Sequence, residues 1–501
     1  MVIDIKDGAH TMDSSQHEMA SWHEPLSGLD ASFLYMEDRT AHMHVGSVAL
    51  FEGPAPSYEE LVGHIASRIH RVPRYRQRLA FVPLQLGRPA WVDDARFDVT
   101  YHVRRAALPA PGGEKELKEL ASRLFEQQLD RERPLWEMYL IEGLEGGRFA
   151  IVAKTHHCMV DGISSLDLAA VLLDGAPSPA STKAPEAWNP RPAPSRRTMV
   201  KAALRDQVRR PIDLVRGAVK AKGEARSKLS VMAGGVLPLL LSPAQLRRTP
   251  ESSLNQPIGP HRRYEMVSLD LPTVKAVGAA LGGKVNDVVL AVVAGALRRV
   301  LSARGESLTE DLQVMVPVNV RRPGAGETTG NHVAMVFCPL PVRCADPVER
   351  LHAVGRTMAG LKKSKLLVGS MALTSFSDFA FPPVAAPAAR LSMRETWFNL
   401  VVTNVPGPQM QLFLLGRRML RCHPLVPLAP KQTLGIALLS YNGSLDVGLL
   451  ADADHARDLP DLAAAMEMEL AELVKLAMPA SNRAAARPRA KADVRESAAV
   501  A

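Results

Sequence analysis

Phe149-Ala150-Ile151-Val152-Ala153-Lys154-Thr155-His156-His157-Cys158-Met159-Val160-Asp161-Gly162 is the stretch that decides how this chain folds. Its first five residues are an apolar run, and residues 163–173 beyond it are apolar-periodic. That pattern predicts a strand over 149–154, a tight turn carrying two histidines, then a helix. Such a junction holds an imidazole at the mouth of a pocket, where a pKa near neutrality suits general-base work.

Neighbouring side chains on a strand point to opposite faces, so only one of the two histidines serves a given site. His157, beside the turn, is the expected base; His156 packs or hydrogen-bonds on the other side. The same argument weighs against the two rings sharing a metal ion, and no metal is expected. Cys158 invites a thiol-nucleophile reading, but nothing else in the chain marks a cysteine-protease-like arrangement. Asp161 is either a helix-start carboxylate beside the helix dipole or the structural partner of an arginine. Gly162 lets the backbone approach closely at the turn. The spacing His-His-x-x-x-Asp-Gly arises by chance in on the order of one chain in a thousand.

Outward from the motif, the pattern gives an α/β chain with two mixed halves of similar size joined by a crossover. Residues 1–22 are polar and read as a disordered N-terminus without a signal peptide. The first half, 23–174, carries the histidines, with helices at 58–69 and 114–129 and strands at 46–51, 136–142 and 149–154. Residues 175–195 hold six prolines and read as an extended linker within a 175–255 crossover. An amphipathic basic helix follows, interrupted at Pro211. The second half, 256–477, has strands expected at 262–269, 312–320, 333–340, 400–403, 433–441 and 444–450. Its helices are expected at 273–281, 287–301 and 461–476. The Ala/Arg-rich tail 478–501 reads as disordered.

Four cysteines without a CxxC pair predict free thiols in a reducing cytoplasm. No apolar segment reaches bilayer length. The net charge of +9 is concentrated: residues 196–228 hold eleven Lys/Arg against three Asp/Glu. Such a segment fits an anionic membrane surface, an anionic ligand such as coenzyme A, or nucleic acid. Nucleic acid is the poorest fit, because no aromatics interleave the basic residues.

The spacing His156-His157-x-x-x-Asp161-Gly162 resembles the signature of CoA-dependent acyltransferases. Further stretches occur in order: Pro25-Leu26-Ser27-Gly28-Leu29-Asp30 with Phe33-Leu34, Arg71-Val72-Pro73-Arg74-Tyr75-Arg76, Arg133-Pro134-Leu135-Trp136-Glu137, Asn286-Asp287, Gly330-Asn331, Asn404-Val405-Pro406-Gly407-Pro408 and Tyr441-Asn442-Gly443. Together they make the chain, over about 25–452, resemble the bacterial bifunctional wax ester synthase/acyl-CoA:diacylglycerol acyltransferase family. The resemblance implies two chloramphenicol-acetyltransferase-like halves with a tunnel between them and His157 at its centre. It implies acyl transfer from acyl-CoA to diacylglycerol or a long-chain fatty alcohol, without a cofactor, giving triacylglycerol or wax ester for storage. His157 would take the alcohol proton and return it to the CoA thiolate.

Asn286, Thr403, Asn404 and Trp136 are the candidate substrate-binding or oxyanion residues. For Asn286 the plain alternative is a cap on a helix starting at Asp287; for Trp136 core packing is favoured over substrate contact. Arg205, Arg209, Arg210 and Arg216 would bring the basic helix to a membrane, the alternative being a solvated face on a packing helix. The expected setting is cytoplasmic, peripheral to the inner membrane or lipid droplets, with a homodimer left open. Two other functions stand beside this one: a condensation-type acyltransferase with a different acceptor, and a non-catalytic lipid-droplet or membrane coat protein. The looser His-x4-Asp pattern of glycerolipid acyltransferases also fits His156 and Asp161, but its flanks do not.

Overall fold

Side chains alternate across the strand Phe149–His156, and both of its faces are covered. Phe149 and Ile151 join one core with Phe51, Met138 and Leu140. Ala150 and Val152 join a second with Val48, Leu50, Tyr139 and Ile141. A strand buried on both faces reads as a continuous apolar run, hence the missing polar alternation in its sequence.

The computed structural model describes residues 24–159, 172–178, 188–207, 249–319, 333–363 and 397–478. The expected disordered ends 1–22 and 479–501, the helix after the motif, and most of the crossover lie outside these residues.

The described N-terminal strands are β1 (Glu24–Pro25), β2 (His44–Phe51), β3 (Gln77–Ala80), β4 (Ala90–Asp93), β5 (Val103–Ala107), β6 (Trp136–Glu142) and β7 (Phe149–His156). Those that follow are β8 (Arg262–Asp270), β9 (Leu312–Asn319), β10 (Val333–Leu340), β11 (Leu400–Pro406), β12 (Phe413–Leu414), β13 (Arg417–Leu425), β14 (Leu434–Tyr441) and β15 (Ser444–Asp452). One mixed sheet has the order β12-β13-β2-β7-β6-β5, and the other β10-β9-β11-β14-β15-β8. A small sheet, β1-β4-β3, flanks the first.

The two sheets share chain. β12 and β13 come from the second half of the sequence, yet β13 pairs antiparallel with β2 of the first. Where β13 crosses the other sheet, Gly448 leaves room for the Pro424 carbonyl; a Cβ there would stand 1.8 Å from that oxygen. The buried Tyr264 hydroxyl donates to the His423 carbonyl at 2.9 Å and ties β8 to the same crossing. The helix Glu114–Phe125 lies against β8, with the Tyr264 amide donating to Ser122 Oγ at 2.9 Å.

Predicted and observed elements differ in telling places. The helix expected over 114–129 stops at Phe125 because the buried Lys154 ammonium takes the carbonyls of Leu124 and Gln127, at 3.0 and 2.8 Å. That cation satisfies the helix's last acceptors from a neighbouring strand. The helix expected from Asp287 starts earlier, as Val285–Ala303. Its cap is Lys284, whose amide donates to Asp287 Oδ2 at 2.9 Å, so Asn286 is not the cap. Among the described residues no single helix is long and apolar enough to cross a membrane.

Candidate active site

β7 ends at His156, and His157 opens a single 3-10 turn, His157–Met159. The His156 amide donates to the Leu135 carbonyl and the His157 amide to the Met43 carbonyl, at 2.9 and 2.7 Å. The turn is thereby held from β6 on one side and from the start of β2 on the other.

The helix Gly28–Met36 supplies the side chains around it. Ser27 caps this helix, its Oγ accepting from the Asp30 amide at 3.0 Å. Phe33 and Glu37 lie one helical turn apart and therefore share a face. Phe33 stacks on the His157 imidazole, with ring centroids 3.8 Å apart and planes at 21°. Glu37 sits beneath His156, with Oε2 3.3 Å from His156 Nε2. His44, directly opposite His156 on β2, approaches the other carboxylate oxygen at 3.4 Å. Arg131 completes the group, its Nε donating to Glu37 Oε2 at 3.1 Å and its Nη2 to the Leu34 carbonyl at 3.2 Å.

The His156 tautomer follows from its neighbours. Its Nδ1 accepts from the Cys158 amide at 3.1 Å, so the neutral ring carries its proton on Nε2, facing Glu37. Burial is the largest influence on Glu37 and pushes its pKa up, but the approach of His156 and His44 outweighs it and holds the carboxyl ionised. Burial in turn pushes His156 down and His44 down to about 3, so both rings are neutral near pH 7. A single buried carboxylate thus faces two neutral imidazoles and one guanidinium.

His157 is also neutral. Burial lowers its pKa to about 4, with His156 adding a smaller push in the same direction. Its Nδ1 is buried and has no partner among the described residues, while the residue as a whole keeps partial exposure. A neutral imidazole with its plane fixed by a stacked ring is able to accept a proton at one defined position.

Cys158 is buried, and its thiol is pushed well above the usual range, chiefly by that burial. This is the opposite of an activated thiolate.

The other sequence candidates fall in three places. Trp136 is fully buried, its Nε1 donating to the Tyr75 carbonyl at 2.9 Å and its ring stacked on His102. It occupies the core, so the assignment as a substrate contact gives way to packing. Thr403 and Asn404 are half-buried on β11. β9 and β11 form a ladder only at Leu400↔Val314 and Val401↔Met315 although both strands continue. They diverge beyond that register, and Thr403 and Asn404 stand on the diverging stretch. No hydrogen bond joins either to His157 among the described residues. Asn286 is half-buried in the first turn of its helix.

Asp161, Gly162, Arg209, Arg210 and Arg216 lie outside the described residues, as do Gly330 and Asn331. Arg205 is half-buried with its Nε unpartnered among the described residues, and is not an exposed cation. Glu37, Phe33, His44 and Arg131 are the residues that sequence reasoning missed as members of the site. The available signal was a lone carboxylate, Glu37, closing the otherwise apolar Phe33-Leu34-Tyr35-Met36.

The sequence profile of the wax ester synthase/diacylglycerol acyltransferase catalytic domain matches residues 26–289, and that of the family's C-terminal domain matches 329–474. The chain is 37% identical over 457 residues to a probable diacylglycerol O-acyltransferase, tgs1, of Mycobacterium tuberculosis, covering 90% of this chain and 96% of that one. It is 35% identical over 463 residues to tgs2 of the same organism, a second probable diacylglycerol O-acyltransferase, covering 89% and 97%. Among solved structures it is similar to the wax ester synthase/diacylglycerol acyltransferase from Marinobacter aquaeolei VT8, with a TM-score of 0.63 and 28% identity, covering 91% of this chain and all of that one. The fold alone is shared with the starter condensation domain of rhizomide synthetase, at a TM-score of 0.54 and 15% identity over 94% and 97% of the two chains. The two-sheet α/β fold, the paired histidines ending β7 and these matches place the chain in the wax ester synthase/diacylglycerol acyltransferase family, as an acyltransferase.

Proposed function

We propose that this protein transfers a long-chain acyl group from acyl-CoA to diacylglycerol or to a long-chain fatty alcohol, with His157 as the general base. The observation that carries the mechanism is the neutral His157 ring, stacked on Phe33 in a part-exposed residue at the end of β7. As the alcohol oxygen attacks the thioester carbonyl, His157 takes its proton. The tetrahedral intermediate then breaks its C–S bond, and the imidazolium returns the proton to the CoA thiolate. The products are an ester and free CoA, and the balance is complete without oxidant or reductant. The thioester is itself the activated acyl donor, so the reading includes no metal or redox cofactor. Thr403 or Asn404 is proposed to donate to the oxyanion from the diverging end of β11.

The acceptors are water-insoluble, which supports a cytoplasmic protein working at the surface of the inner membrane or of lipid droplets rather than on nucleic acid. The test is to supply palmitoyl-CoA with hexadecanol or with dioleoylglycerol in detergent micelles and to identify the lipid formed. Wax ester or triacylglycerol in step with CoA release is expected. No ester with either acceptor rejects the reading.

A further inference from the structure

The β3–β4 hairpin ends in an apolar tip that the core does not absorb. Phe81 is 49% exposed and Leu84 is 85% exposed. Leu84 and Gln85 both have left-handed backbone, with φ of 56° and 55°. That conformation is unfavourable for a branched side chain, and here it turns a leucine outward. Between them Val82 is buried, packed on Met199 and Ala203 of the helical residues 196–207.

This helix fixes the tip. A Cβ at Gly87 would meet the Ala203 methyl at 2.8 Å, so turn and helix are in close contact. On the helix's outer side Leu204 is 48% exposed, and Arg196, Arg197 and Lys201 are exposed around it. None of those three cations has an ion-pair partner among the described residues. Three outward apolar side chains and three exposed cations therefore share one ridge built from two elements.

We propose that this ridge, residues 81–86 with the outer face of 196–207, is the protein's contact with an anionic lipid bilayer. The apolar tip would enter the headgroup–acyl boundary while the cations meet lipid phosphates. The charge complementarity favours lipid over a second copy of the chain, which would set the same cations against each other. The proposal rests on the reading that the protein works at a lipid surface, and adds the residues that reach it.

The test is flotation of the full-length protein with vesicles of phosphatidylcholine alone and with phosphatidylglycerol added. Phe81→Ser with Leu84→Asn removes the apolar tip, and Asn suits the left-handed backbone, so the fold is kept. Partition to anionic vesicles should fall by about tenfold or more. Arg196→Gln with Arg197→Gln and Lys201→Gln should abolish the preference for anionic over neutral vesicles. Acyl transfer from micellar substrates should stay at wild-type level in both variants. Unchanged vesicle binding by the tip variant overturns the ridge, as does a tip variant that loses self-association instead of binding. Wild-type protein that ignores vesicles overturns both the ridge and the lipid-surface reading. Absence of micellar activity in the wild type rejects the acyltransferase reading independently of either.

Discussion

Glu37 and His156 face each other 3.3 Å apart in the core, each side chain only 1% exposed. The relationship is one of positioning. The Cys158 amide fixes the Nδ1 side of His156, the Glu37 carboxylate lies against its Nε2, and the adjoining residue is the proposed general base. One helix end organises both rings, Phe33 flattening His157 and Glu37 orienting His156 one turn later.

Glu37→Gln keeps the shape and removes the charge. His156 loses the negative charge facing its Nε2, and Arg131 loses its counter-ion. Turnover should fall by about tenfold, because the effect reaches His157 only through its neighbour His156, with little change in KM for acyl-CoA. Steady-state kinetics on folded protein check this. Wild-type kcat in Glu37→Gln would remove Glu37 from the positioning role.

Phe33→Ala withdraws the surface on which His157 lies. The expected cost is about 3 kcal/mol of stability from the lost aromatic, together with a drop in kcat as the imidazole gains freedom. Phe33→Tyr, which keeps the ring, should restore most of kcat. Equal loss in both variants would mean that stacking is not what holds His157.

Cys158→Ala should retain most of the turnover and lose no more than about 2 kcal/mol of stability. The buried thiol is held protonated, so alkylating reagents at neutral pH should leave activity intact in the native enzyme. Inactivation that tracks Cys158 alkylation would reopen the nucleophile reading.

Buried histidines make stability depend on pH, His44 and His102 among them. Burial lowers His44 to about 3 and His102 to about 4. Unfolded, both titrate near 6.5. Between about 6.5 and about 4 the unfolded chain binds protons that the folded chain does not. Stability is then full above that window and falls as pH drops through it, by about 1.4 kcal/mol per pH unit for each histidine. Glu37, held ionised in the fold, adds to the loss below its unfolded value. Urea unfolding from pH 7 to 4.5 measures the slope, and His102→Gln should reduce it by about one proton. A flat profile would contradict the burial of these rings in neutral form.

Gly448→Ala should cost about 2–3 kcal/mol, because its methyl would collide with the Pro424 carbonyl where β13 crosses β15. Gly63→Ala is the control: a Cβ there meets nothing within 4 Å, and alanine should stabilise the helix Tyr58–Arg68 by about 1 kcal/mol. Thermal melts of the two variants shifting by the same amount would refute the close crossing.

What the sequence made legible follows from burial. β6, β7, β10 and β14 are long apolar runs, and their positions were readable to within a few residues. β13 was not readable. It mixes Arg417, Arg418 and Arg421 with Met419, His423 and Leu425 without a clean period, its register shifts between Met419 and Arg421, and its partner β2 lies more than three hundred residues earlier. The helices Gly28–Met36 and Pro347–Lys363 and the short strands β3, β4 and β5 also went unread. In the site, the histidine motif was visible because its chemistry is local. Glu37 was not, since only the folding of one helix end under β7 brings it to His156. Asn286 looked like a cap from its neighbourhood, but Asp287 closes the helix start on Lys284 instead.

The central claim is that His157 moves the proton in acyl transfer. The direct measurement is CoA release and ester formation by wild-type protein and by His157→Ala, side by side, with palmitoyl-CoA and either acceptor. Loss of about a hundredfold or more in turnover is expected, with an unchanged unfolding transition. Full turnover in folded His157→Ala would contradict it.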